Sequence, residues 1–110
     1  MKISEAAERL CLEVLSMPAP DREINGGYVG DLLSWVMGRA EADNVWITIM
    51  TNINVLAVAS LSDVSAVVIA ENAEIGADIV EKAKEQGINL LRSPKAAFET
   101  ALDFGRLIDM

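Results

Sequence analysis

The sequence contains no histidine and a single cysteine, Cys11. The first absence removes the usual neutral-pH general base and the commonest metal ligand. With one thiol besides, a zinc, haem or iron–sulfur site within one chain is not expected. A lone cysteine also rules out an intrachain disulfide, which fits a reducing cytoplasm. Cys11 lies in the apolar run Leu10-Cys11-Leu12, where a small core residue is the expected role. Aromatic residues are few at 5%, and prolines number three. No stretch of eighteen apolar residues occurs, so no transmembrane helix is expected, and the N-terminus lacks the pattern of a signal peptide. Basic residues are short as well: nine against seventeen acids, for a formal charge of −8. Such a field repels nucleic-acid backbones and anionic membranes and leaves basic proteins, cations or neutral small molecules as easier partners.

What is present is apolar. Hydrophobic residues make up 52% of 110, so disorder is not the general state. A chain of this length buries roughly two-thirds of its unfolded surface, and one domain spanning 1–110 is expected.

Helix-like and strand-like segments alternate. Ser4 is placed to cap a short helix through Leu10, followed by a strand from Cys11 to Leu15. Met17-Pro18-Ala19-Pro20-Asp21 is a loop. Arg22 to Val29 is expected as a strand running through Asn25-Gly26-Gly27. A helix follows from Asp31 to about Arg39, with Leu32, Leu33, Val36, Met37 and Ala40 as its apolar stripe. Asn44–Met50 is a strand by its β-branched and aromatic content. Thr51 and Asn52 are placed to cap a nearly all-apolar helix, Ile53–Leu61, expected to be largely buried. Ser65–Ala70 is a continuous apolar run, as a central parallel strand would be. Ala77–Gln86 is an amphipathic helix closed by Gly87, and Ile88–Arg92 is the last strand. Ser93-Pro94 is placed to start a final helix whose buried face would hold Ala97, Phe98, Ala101, Leu102 and Leu107. Strands separated by helices predict a three-layer α/β/α sandwich with a mostly parallel sheet.

Two stretches carry candidate binding residues. In the first, Gly26-Gly27-Tyr28-Val29-Gly30-Asp31, a strand runs through glycines to a helix start, an arrangement that favours anions. Asp31 would occupy that positive end itself, so a strand bend with an Asp cap competes as the explanation. The second is Thr48, Thr51, Asn52 and Asn54, where a strand turns into a helix. Crevices beyond the carboxyl ends of parallel strands hold ligands, although capping and turn formation account for some of these residues. If Asp31 and Ser34 stand on the neighbouring turn, the two clusters meet in one polar pocket. Trp35 and Trp46 are expected as core or interface aromatics, since no basic groove accompanies them. Glu71, Glu74 and Asp78 lie near a helix start, and Glu81, Lys82, Lys84 and Glu85 form a solvated face.

Ile24 to Ser34, followed by Trp46-Ile47-Thr48 and by Met50 to Ala59, resembles the DRTGG domain family, over roughly residues 3 to 105. Of that family's name motif only Asp21-Arg22 and Gly26-Gly27 are present, split by Glu23-Ile24-Asn25. Members of the family occur alone or inside larger chains, among them CBS-domain pyrophosphatases and some phosphotransacetylases. Their fold is similar to the N-terminal domain of HPr kinase/phosphorylase. The resemblance implies a regulatory or dimerising module. It does not extend to a kinase, because Gly26, Gly27 and Gly30 are followed by no Gly-Lys-Ser or Gly-Lys-Thr of a P-loop.

The expectation is therefore a non-catalytic, cytoplasmic regulatory module, without cofactor, metal, nucleic acid or membrane. It would bind a small molecule or partner protein and form a homodimer. A small enzyme, or a phosphoacceptor acting through Ser34, Ser60 or Ser62, is the alternative.

Overall fold

The computed structural model describes residues 1–109. Among them, ten elements follow one another: α1 (Ile3–Arg9), β1 (Glu13–Ser16), β2 (Gly26–Val29), α2 (Leu33–Arg39), β3 (Asn44–Thr48), α3 (Asn54–Ser62), β4 (Ala66–Ile69), α4 (Ala77–Glu85), β5 (Leu90–Arg92) and α5 (Ala97–Leu107). The strands form one sheet in the order β1-β5-β4-β3-β2. β2, β3, β4 and β5 are parallel, and β1 joins β5 antiparallel. The three-layer, mostly parallel sandwich is the observed architecture.

Alternation along the strands builds two cores. Trp46, Val67, Ile69 and Leu90 face α2, α3 and α4, meeting Val36, Val55, Leu56, Ile79 and Ala83. Val45, Ile47, Val68 and Leu91 face α1 and α5, meeting Ile3, Ala6, Ala7 and Phe104. Because both faces are covered, every residue of β3 and β4 is buried, which is why β4 reads as an unbroken apolar run, while β3 buries the polar Asn44 and Thr48 at its two ends. The central strand expected at Ser65–Ala70 is β4.

Three helices end in the same way. Beyond α4 the Gly87 N–H donates to the Lys84 carbonyl and the Ile88 N–H to the Ala83 carbonyl, with Gly87 at φ +74°. This is a Schellman closure. α3 closes likewise through Asp63, and α1 through Cys11, at φ +54° each.

Several expectations need correction. Cys11 is exposed rather than core, because the chain reverses there and turns the side chain outward. α1 begins at Ile3 after Lys2, and Ser4 lies inside it. Arg22 to Asn25 are not part of β2, because the backbone of Arg22 to Ile24 pairs with the N-terminus, the Ile3 N–H donating to the Arg22 carbonyl and the Ile24 N–H to the Met1 carbonyl. Only Val36 of the α2 stripe is buried, while Leu32 and Met37 are exposed. In α3, Val55, Leu56, Val58 and Ala59 are buried, but Leu61 is 73% exposed. Ser93-Pro94 does not start α5. The buried Ser93 Oγ lies 2.8 Å from Thr100 Oγ1, and the helix begins three residues after Pro94. Its buried residues are Thr100 and Phe104, whereas Phe98 is 75% exposed and Leu102 is also exposed. No helix among the described residues is long and apolar enough to cross a membrane.

Candidate functional site

The crossovers β2-α2-β3, β3-α3-β4 and β4-α4-β5 all place their helices on one face, and β2 to β5 follow one another in spatial order. The strand order therefore never reverses among the parallel strands, and the crevice that such a reversal opens in doubly wound sheets does not arise there. Polar side chains at the carboxyl ends stand on a rim of loops.

On that rim Asp31 ties two loops together. Its Oδ1 accepts from Thr48 Oγ1 at 2.7 Å and from the Ile49 N–H at 2.9 Å. Thr48 Oγ1 in turn accepts from the Met50 N–H at 3.2 Å. Trp46 Nε1 donates to the Gly30 carbonyl at 2.9 Å, pinning the same loop from beneath. Asp31 is thus a staple between the segments after β2 and β3 and not the cap of α2, which Leu32 precedes. Asn52 Oδ1 accepts from the Asn54 N–H at 2.9 Å, closing a local turn at the start of α3. The Ser34, Thr51 and Asn54 side chains form no hydrogen bond among the described residues; Ser34 and Asn54 are exposed and Thr51 half-buried. The structure brings Asp31 to Thr48.

Gly26, Gly27 and Tyr28 belong elsewhere. They lie within β2, and φ is positive at neither glycine, nor at Gly30, so there is no glycine turn of the anion-cradling kind. Close packing accounts for two of these glycines. A Cβ on Gly27 would stand 3.2 Å from Val45 Cγ1, and one on Gly30 would stand 2.8 Å from Tyr28 Cε2. Gly26, Gly27 and Tyr28 line a cavity of about 220 Å³ between β2 and α5, together with Val45, Ile47 and Phe104. Asp31, Ser34 and the two asparagines take no part in it.

A third cluster, at the amino ends of the strands, went unread in the sequence. Arg22 donates from Nη2 to Asp43 Oδ1 at 2.7 Å and to the Asp63 carbonyl at 2.8 Å, and from Nη1 to Asp63 Oδ1 at 3.1 Å. Partial burial opposes its charge, but hydrogen bonds and attraction from Asp43 and Asp63 outweigh that and raise its pKa above the ordinary arginine value. Nearby, Asn89 donates to the carbonyls of Ala19 and Ser65 and accepts from the Ala19 N–H. The only sequence signal was Asp21-Arg22 as a remnant of the family motif. Its partners lie 21 and 41 residues away, beyond any local pattern. Among the described residues no three His, Cys, Asp or Glu side chains gather as a metal ion would require.

No family model matches the sequence, and no curated protein matches it. A solved structure matches the fold: the CBS and DRTGG domains of the regulatory region of Clostridium perfringens pyrophosphatase, complexed with the activator diadenosine tetraphosphate. The TM-score is 0.72 at 17% identity, over 96% of this chain and 45% of that one. The chain thus spans less than half the length of the solved chain it matches. The backbone course agrees, and the fold of this chain is DRTGG-like.

Proposed function

We propose that this chain is a non-catalytic regulatory module that takes up a small-molecule ligand, or docks a partner protein, in the cytoplasm, and pairs with a second copy of itself. The observation that carries the reading is the likeness in fold, over nearly the whole chain, to a regulatory region complexed with a nucleotide activator. The rim residues Ser34, Thr51 and Asn54 support it, since they hold donors and acceptors that no internal partner uses. Being uncharged, they suit the base and sugar of a nucleotide better than its phosphates. Asp31 and Thr48 have the composition of a base and a nucleophile, yet they argue against catalysis. The Thr48 residue is 1% exposed and its hydroxyl is bonded on both sides, so no substrate reaches it.

Thermal denaturation with diadenosine tetraphosphate, ATP, AMP and acetyl phosphate tests the reading. A ligand at a hundredfold excess over its Kd stabilises the folded state by about 2.7 kcal/mol, raising Tm by roughly 10 °C in a domain of this size. One nucleotide is expected to do so, and Asn54→Ala to reduce the rise. Phosphate release at about 1 per second or more, abolished by changing a carboxylate of this chain, would establish an enzyme instead.

A further inference from the structure

The cavity between β2 and α5 is apolar and faces glycine from both sides. From the sheet it is bounded by Gly27, Val45 and Ile47, and from α5 by Ala101, Phe104 and Gly105. At Gly105 the α5 wall lacks a side chain, and a Cβ there would meet nothing within 4 Å, whereas one on Gly27 would press on Val45. Neither glycine has a positive φ, so backbone conformation does not call for Gly105, which sits inside a helix where glycine is disfavoured. What the residue leaves behind is room. The space opens along the edge of the sheet, where β2 has no further strand beside it and Val29 is half exposed.

Size and chemistry select the occupant. Water finds few hydrogen-bond partners against such walls, and an apolar cavity of about 150 Å³ already suffices to hold benzene. At about 220 Å³ the space admits one aromatic ring with a small substituent. The walls carry no basic side chain to hold an anion. The unpaired outer edge of β2 offers peptide N–H and C=O groups at the mouth, a match for one polar atom on the ring.

We infer that the cavity between β2 and α5 is a binding site for an uncharged small molecule bearing a single aromatic ring. The site is separate from the polar rim, and the inference does not depend on nucleotide binding. The test uses indole and, as its anionic counterpart, indole-3-carboxylate, followed by amide NMR shifts and by melting temperature. Indole is expected to shift the amides of Gly27, Val45 and Gly105 with a Kd in the millimolar range or tighter. The carboxylate is expected to bind at least tenfold more weakly. Gly105→Leu and Ala101→Leu, which fill the cavity from two turns of α5, are expected to fold and lose the indole response. Either variant retaining a folded spectrum decides the matter. If indole leaves wild-type amides unmoved at 10 mM, or moves those of the filled variants equally, the site is not there. A nucleotide response that survives in Gly105→Leu would leave the regulatory reading intact while separating it from this cavity.

Discussion

Cys11 holds a backbone conformation that a side chain resists. At φ +54° it stands in the position that closes α1, where glycine is favoured because a Cβ meets the following carbonyl. Its thiol is exposed, so removing the side chain costs no core packing. Cys11→Gly is therefore expected to stabilise the protein by roughly 1 kcal/mol, read as a raised urea midpoint at unchanged slope. A core cysteine, as the flanking leucines suggested, would give a loss of similar size. Asp31 makes the opposite case. Asp31→Ala removes the acceptor for a buried hydroxyl and a backbone N–H and is expected to cost about 1–3 kcal/mol. Asp31→Asn keeps an acceptor oxygen and should lose less. Equal denaturation midpoints for Asp31→Ala and wild type would mean that the staple contributes nothing. Arg22 is favoured as a cation in the folded protein. Its pKa is raised on folding, so its contribution is present throughout the usual pH range and is lost only in strong alkali, as the guanidinium deprotonates.

At the scale of elements, the sequence was most legible where one physical demand acts alone. Asn44–Met50 read as a strand by its β-branched and aromatic residues, and Ser65–Ala70 because burial on both faces calls for a continuous apolar run. The end of α4 read correctly because Gly87 at a positive φ is a local signal. α5 shows where local reading stops. Ala97, Ala101, Phe104 and Ile108 form one apolar stripe, and Phe98 and Leu102 extend it around the helix. A 3.6-residue period allows either side to face inward, and packing over β2 and β3 decides it. The start of α5 is also decided at a distance. The Ala97 N–H donates to Glu71 Oε2 at 3.0 Å across 26 residues of chain, a cap that no neighbouring residue announces. The candidate site divides the same way: Asp31 and Thr48 met because neighbouring turns follow neighbouring strands, while the Arg22 cluster joins distant loops. Glu71→Ala is expected to cost about 1 kcal/mol and to speed amide exchange in the first turn of α5 before any other helix. Unchanged exchange at Ala97 would show that the cap is dispensable.

For the whole molecule, charge and exposed apolar surface pull against each other. Two surfaces are candidates for pairing, the apolar helix after Asn52 and the face bearing Trp35. Most of the first is taken up inside, since four of the α3 residues are buried beneath its neighbours. The second remains open. Leu32 and Trp35, 59% and 52% exposed, stand one turn apart, with the Arg39 guanidinium 3.8 Å from the Trp35 ring centre. Two copies meeting there would bury apolar surface while bringing together chains of charge −8 each. Such a dimer has a distinctive response to salt. Screening shortens the reach of the repulsion from about 30 Å at 0.01 M to about 10 Å at 0.1 M, so association should tighten as salt is added. An interface held by ion pairs would loosen instead. Trp35→Glu is expected to weaken pairing at least tenfold with little effect on melting, because the ring lies half outside the core. Sedimentation equilibrium from 0.01 to 0.5 M NaCl tests each point. A mass of 11.8 kDa at every salt and micromolar concentration removes the dimer. A dimer that loosens with salt, or that survives Trp35→Glu unchanged, places the interface on another face.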